Sequence, residues 1–246
     1  VPPQAFIVRK LADTLVDVEI LVPPGANDET YEPAIDRIRA LSEARLYVKV
    51  GHPKFSVERA WIDRLLSEHA SLEIIDGSAG AEVLDEDPHV WVSPSHVRAA
   101  ARNVAAGLER ILPESRTKVA ENLEKLESEI EGVDADLRSL FAATRGRRFF
   151  VFHPGWGYLA REYGLEQVAI ERHGKEPDAG ALAETIADAK AAGVTTIFVQ
   201  PGFPRASAEV VAHEVGAELA VIDPLAYEWT ENLKSVARQI ARAAVP

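Results

Sequence analysis

"VAENLEKLESEIEGVDADLRSL", residues 119–140, carries Val119, Leu123, Leu126, Ile130, Val133, Leu137 and Leu140 at successive steps of four, three, four, three, four and three. That spacing puts all of them on one face of a single helix. The predicted helical region opens at "LPES" (112–115), where Pro113 suits a first helical position, and runs roughly 45 Å at 1.5 Å per residue. Gly132 is its one weak point. A stripe of this length suits either a coiled-coil seam or a spine between two globular lobes, and the flanking sequence favours the spine.

On its N-terminal side lie strand-like runs at "VDVEILV" (16–22), "RLYVKV" (45–50) and "LEIID" (72–76). On its C-terminal side lie "RFFVF" (148–152), "EQVAIE" (166–171), "TIFVQ" (196–200) and "ELAVID" (218–223). Between them, "PAIDRIRALSEA", "VERAWIDRLLSEHA", "GALAETIADAKAAG", "ASAEVVAHEVGA" and "TENLKSVARQIARAA" space apolar residues three and four apart, as one-sided helices do. Strand and helix in alternation predict an α/β fold with parallel sheets. The expected organisation is an N-terminal lobe (1–112), a long linking helix (113–145) and a C-terminal lobe (146–246), each lobe holding a small parallel sheet flanked by helices. A cleft between two such lobes is where a small ligand is expected.

Composition narrows the function. The chain has 246 residues, a formal charge of −12, no cysteine and no methionine. An acidic surface repels phosphate backbones, so no nucleic-acid partner is expected. Without cysteine, any metal must be held by nitrogen and oxygen. The chain starts at Val1 with no initiator methionine, which reads as a processed or trimmed product. The sequence contains no G-x-S-x-G elbow, no G-x-G-x-x-G after a strand and no G-x-x-x-x-G-K-S/T loop.

Functional groups of a parallel α/β sheet gather beyond the carboxyl ends of its strands. Four residues fit that placement. Glu29 lies in the loop after the run ending at Val22, His89 in "DPHVW" after Asp76, His153 directly after "RFFVF", and Asp223 at the close of "ELAVID". Two neutral imidazoles and two carboxylates balance a divalent cation and suit zinc or manganese, the acids favouring the harder metal somewhat. Four protein ligands fill a tetrahedral shell and leave no place for a reactive water, which points to holding a metal rather than hydrolysing with it. Taken singly, each residue also has an ordinary reading: Glu29 as a solvated loop acid, Asp223 as a turn cap before Pro224, His89 as a satisfied histidine. His52, His96 and His173 are reserve candidates, whereas His69 and His213 read as helix-surface residues. Pro88 is expected to stiffen the His89 loop and Trp91 to pack beneath it.

Six segments resemble, in order, the metal-specific solute-binding proteins of zinc and manganese ABC importers: "LVPPGANDETYEP", "DPHVWVSP", "FHPGWGYLAREYGL", "GKEPDAGALAETI", "IFVQPGFPRASAEVVAHEVGA" and "VIDPLAYEWTENL". The resemblance covers nearly the whole chain. It implies two α/β lobes joined by a rigid helix, a metal site in the cleft between lobes, and His89, His153 and Asp223 as ligands. At the first ligand position the family usually has histidine, where this chain has Glu29 preceded by Asp28. The histidine-rich acidic loop of many zinc-specific members is also missing before the second ligand. The resemblance further implies a first strand and a targeting segment before Val1, and export to the periplasm or lipid anchoring on the outer face. It implies a monomer that catalyses no reaction and delivers its metal to a membrane permease. Two other readings stay open on the residues alone: a zinc hydrolase with Glu29 as general base, and an adhesin stabilised by its metal. In the transport reading, affinity is expected to weaken as pH falls through the histidine range.

Overall fold

The computed structural model describes residues 1–63, 72–171 and 176–246. The chain divides into two units, Val1–Asp134 with Leu225–Thr230, and Ala135–Pro224 with Glu231–Pro246.

In the first unit, helix α1 (Pro2–Ala12) starts on two prolines, which cost nothing where the amide hydrogens have no helical partner, and it buries Phe6, Ile7 and Leu11. Helix α2 (Ile35–Glu43) leads into strand β1 (Leu46–Lys49). A π-helical turn (Glu58–Ile62) follows, and then strand β2 (Glu73–Asp76), which pairs with β1 in parallel from Leu46↔Glu73 to Lys49↔Asp76. Helix α3 (Pro94–Ile111) is capped by the Ser93 side chain, which accepts from His96 N, and has Pro94 in its first turn. It packs on α1 and β2. Gly107 permits that approach, since a Cβ there would lie 2.5 Å from Ile75 Cγ1.

The run at 16–22 forms no strand. Its alternation does set which side chains face inward, with Val16, Val18 and Ile20 half-buried and Asp17 and Glu19 exposed. The backbone oxygens it would have offered a neighbour go to side chains instead: Arg9 Nη1 donates to Val16 O at 3.1 Å, and Arg37 Nη1 donates to Ile20 O. Alternation reports sidedness; pairing needs a partner strand as well.

A 3-10 turn (Pro113–Ser115) precedes the long helix α4 (Arg116–Phe141), whose 26 residues span about 39 Å and continue through Gly132. Its buried face is Val119, Asn122, Leu126, Ile130, Val133, Leu137 and Phe141, while Leu123 and Leu140 lie half-buried at its margin. Asn122 belongs on that face because its amide donates to Leu11 O at 2.9 Å, closing the end of α1. The boundary between the units falls inside α4, after Asp134.

In the second unit, strands β3 (Arg148–Val151), β4 (Glu166–Ala169), β5 (Thr196–Val199) and β6 (Glu218–Val221) form one parallel sheet in the order β4-β3-β5-β6. The two runs without polar interruption, in β3 and β5, are the central strands buried on both faces; β4 and β6, each starting on an exposed Glu, are the edges. Helices α5 (Gly157–Tyr163), α6 (Ala179–Ala192), α7 (Ala206–Val215) and α8 (Trp229–Ala243) complete the chain. The core joins Phe150, Phe152 and Ile197 of the sheet region to Ala189, Ala208 and Val211 of α6 and α7. After Pro224 the chain passes through Leu225–Thr230, which belongs to the first unit: Tyr227 and Trp229 lie against Phe6 with ring centroids 6.4 and 6.3 Å away.

Candidate metal centre

In the first unit, His89 is 1% exposed and flanked by two carboxylates. Asp87 Oδ1 accepts from His89 N at 2.9 Å and lies 2.7 Å from Nδ1 of the same residue. On the other side of the ring, Nε2 is 3.2 Å from Asp28 Oδ2. The Trp91 ring meets the imidazole edge-on at 5.3 Å, as the sequence led us to expect, and is itself met by Phe55 at 6.0 Å. Its backbone oxygen accepts from Trp229 Nε1 at 2.7 Å. Burial opposes a charged imidazole, but the Asp28 carboxylate and the hydrogen bonds that the ring donates to Asp28 and Asp87 outweigh it and hold the His89 pKa up at about 10.

Side chains fix the loop that carries Asp28 and Glu29. Asn27 Oδ1 accepts from the amides of Glu29 (3.0 Å) and Thr30 (3.1 Å), and Ser56 Oγ donates to the oxygens of Asp28 (3.0 Å) and Glu29 (2.7 Å). Asp28 is 2% exposed, whereas Glu29 is half-buried. The end of β1 is held by Glu58, which accepts from Val50 N at 2.6 Å and Gly51 N at 3.1 Å. Burial pushes the Glu58 pKa up despite those two amides.

In the second unit the four strands are parallel, so the residues after β3, β4, β5 and β6 all emerge at one edge of the sheet. The sheet reverses its order between β3 and β5, and the crevice at such a reversal is where open α/β sheets take ligands. His153 follows β3 there, 1% exposed, and stacks on Phe203 from the loop after β5 at 4.2 Å. Its Nδ1 is 3.1 Å from Glu171 Oε2, on a 6% exposed residue just past β4. The "HPGWG" turn is held by Gly155 N donating to His153 O at 2.9 Å and Trp156 N donating to Gln167 Oε1 at 2.7 Å. Asp223 leaves β6 half-buried, and its backbone oxygen accepts from Asn232 Nδ2 at 2.7 Å. Between them, at the end of β5, Gln200 is 2% exposed and neither atom of its amide has a hydrogen-bond partner among the described residues.

Of the expected ligands, His89 and His153 are buried and Glu29 and Asp223 half-buried. Three carboxylates escaped the sequence reading: Asp28, Asp87 and Glu171. Glu171 carries the same strand-end signal as the chosen four, and Asp87 stands two residues before a histidine in an Asp-Pro turn. For Asp28 over Glu29 there was no periodic signal. Among the reserve histidines, His52 accepts from Lys54 N at 3.1 Å through Nδ1 and places Nε2 2.6 Å from Leu84 O. His96 sits with Nδ1 2.9 Å from Ser93 Oγ and Nε2 2.6 Å from Glu82 O, so both rings tie loops together. His213 is exposed on α7, and His69 and His173 lie outside the described residues.

The family model for the zinc-uptake complex component A, periplasmic (ZnuA), matches residues 1–243. The chain belongs to this family. The high-affinity zinc uptake system protein ZnuA of Bacillus subtilis is 26% identical over 242 residues, covering 91% of this chain and 76% of that protein. The zinc-binding lipoprotein AdcA of Streptococcus pneumoniae is 24% identical across 95% of this chain and 50% of its own length. Among solved structures, a crystal structure of ZnuA superposes with a TM-score of 0.93 at 37% identity, covering 99% of this chain and 96% of that one. A zinc-bound ZnuA deletion mutant gives 0.91 at 36% identity, with 99% and 95% covered. The two parallel sheets and the long helix linking the lobes are thus the architecture of the ZnuA family, a family of solute-binding proteins and not of enzymes.

Proposed function

We propose that this chain is the extracytoplasmic capture protein of an ABC importer, taking up a divalent transition metal, zinc ahead of manganese, and handing it as a monomer to a membrane permease. The observation that carries the reading is the buried His89 between Asp28 and Asp87. A buried imidazole whose Nε2 faces a carboxylate at 3.2 Å already holds a cation, its own proton, where a metal ion can replace it. The ligands of the reading are His89, His153 and Asp223 with a carboxylate from the Asp28–Glu29 pair, drawn from a lobe at 1–112 and a lobe at 146–246 joined through 113–145. The two carboxylates of that set match the charge of a divalent ion, and the mixed nitrogen and oxygen donors admit both zinc and manganese.

The zinc in this reading is cargo and not a catalyst, and no observation favours either a hydrolase with Glu29 as general base or an adhesin. Export fits the periplasmic description of the family and the lipoprotein among its relatives. No helix among the described residues is long and apolar enough to cross a membrane.

The test is metal analysis of the purified protein followed by competitive titration of zinc and manganese against wild type, Asp28→Ala and Glu29→Ala. We expect zinc to bind more tightly than manganese, and one of the two variants to lose well over about 100-fold in affinity, beyond the roughly 10- to 100-fold that loss of a supporting residue costs. Unchanged affinity in both variants would remove this loop from the site, and a wild type that binds neither metal would end the reading.

A further inference from the structure

Both buried histidines have Nδ1 against a carboxylate of their own unit: Asp87 at 2.7 Å for His89 and Glu171 at 3.1 Å for His153. An ionised carboxylate only accepts hydrogen bonds, so each contact requires the proton on Nδ1. The nitrogen left to coordinate is then Nε2 in both residues, and in His89 that is the atom 3.2 Å from Asp28. Each ring is also fixed by an aromatic neighbour, Trp91 edge-on to His89 and Phe203 stacked on His153. The two carboxylates come from unrelated places, a turn two residues upstream and the end of a neighbouring strand. The same arrangement is thereby built twice from different elements.

We propose that Asp87 and Glu171 are positioning residues for metal capture, locking His89 and His153 in the tautomer that presents Nε2. This rests on the reading of His89 and His153 as ligands. A carboxylate behind a coordinating imidazole fixes the plane of the ring and makes it a better electron donor, and its loss costs 10- to 100-fold in metal affinity in typical sites. Asparagine and glutamine keep the shape of each side chain, but their amides can donate as well as accept, so the tautomer is no longer dictated.

The experiment compares wild type, Asp87→Asn, Glu171→Gln and the rescue variant Glu171→Asp as the full chain. Zinc affinity is measured by chelator competition, and ring protonation by two-dimensional NMR of the zinc-loaded, 15N-histidine-labelled protein. In wild type, both site histidines should show a protonated Nδ1 and a metal-bound Nε2. Each amide variant should lose roughly 10- to 100-fold in zinc affinity, and the Nδ1–H of its own histidine alone should exchange faster with water as its hydrogen bond weakens, with Glu171→Asp recovering part of both. Affinity within about twofold of wild type in a folded amide variant, or reduced affinity with the Nδ1–H exchange of both rings unchanged, overturns the positioning role. Two variants in separate units keep the test decisive should one fail to fold. A wild type that binds zinc through other residues, leaving both rings unmetallated, overturns the ligand reading and this inference with it.

Discussion

At the scale of single residues, His89 is the centre of the account, and its neighbours change what pH does to it. The sequence suggests weakening of metal binding as pH falls through the ordinary histidine range. In the folded protein, Asp28 and Asp87 raise the His89 pKa from 6.5 to about 10, so the proton that zinc must displace is present at neutral pH. Zinc affinity should therefore rise about tenfold for each pH unit between 7 and 9, and calorimetry at pH 8 in buffers of different ionisation enthalpy should report about one proton released from His89. For the metal-free protein the sign is reversed: a pKa raised on folding adds stability that is complete below about 6.5 and lost as pH rises through about 10. Urea unfolding should show lower stability at pH 10 than at pH 6, and His89→Gln should narrow that difference. Flat zinc affinity from pH 7 to 9 would contradict the His89 environment described above. The residues that create it were hard to read in advance, because Asp28 and Asp87 meet His89 only once two loops have folded. Strand-end position marked His89, His153 and Asp223; nothing periodic marked the acids around them.

At the scale of elements, the long helix was the most legible feature, because a stripe at three and four spacing states both the conformation and the buried face. Its detail was less so. Asn122 replaces Leu123 on the buried face because a specific acceptor, Leu11 O, waits there at 2.9 Å. Six of the seven strand-like runs became strands, but their order in the sheets was not read from the sequence. The run at 16–22 failed since alternation carries no information about whether a partner strand lies alongside. Two glycines test this level. Gly132 is exposed in the middle of α4 with nothing within 4 Å of an added Cβ, so Gly132→Ala should stabilise by about 0.5–1 kcal/mol. Gly107 is packed on Ile75, so Gly107→Val should destabilise by about 1–3 kcal/mol through overpacking. Urea unfolding of both variants checks the pair, and equal effects would contradict the packing of α3 on β2.

At the scale of the whole molecule, two α/β units each supply one buried histidine with a carboxylate at its Nδ1, and the chain crosses between units inside α4 and again around Leu225–Thr230. The family fold was legible from the order of six segments along the chain, each of which is weak evidence alone. The central claim of the proposed function is that His89 and His153 are both metal ligands. Competitive zinc titration of wild type, His89→Ala and His153→Ala tests it most directly. The account predicts one zinc per chain in wild type and a loss well beyond about 100-fold in each single variant, outside the roughly 10- to 100-fold range expected for loss of a supporting carboxylate. Tight one-to-one zinc binding that survives either substitution would contradict it.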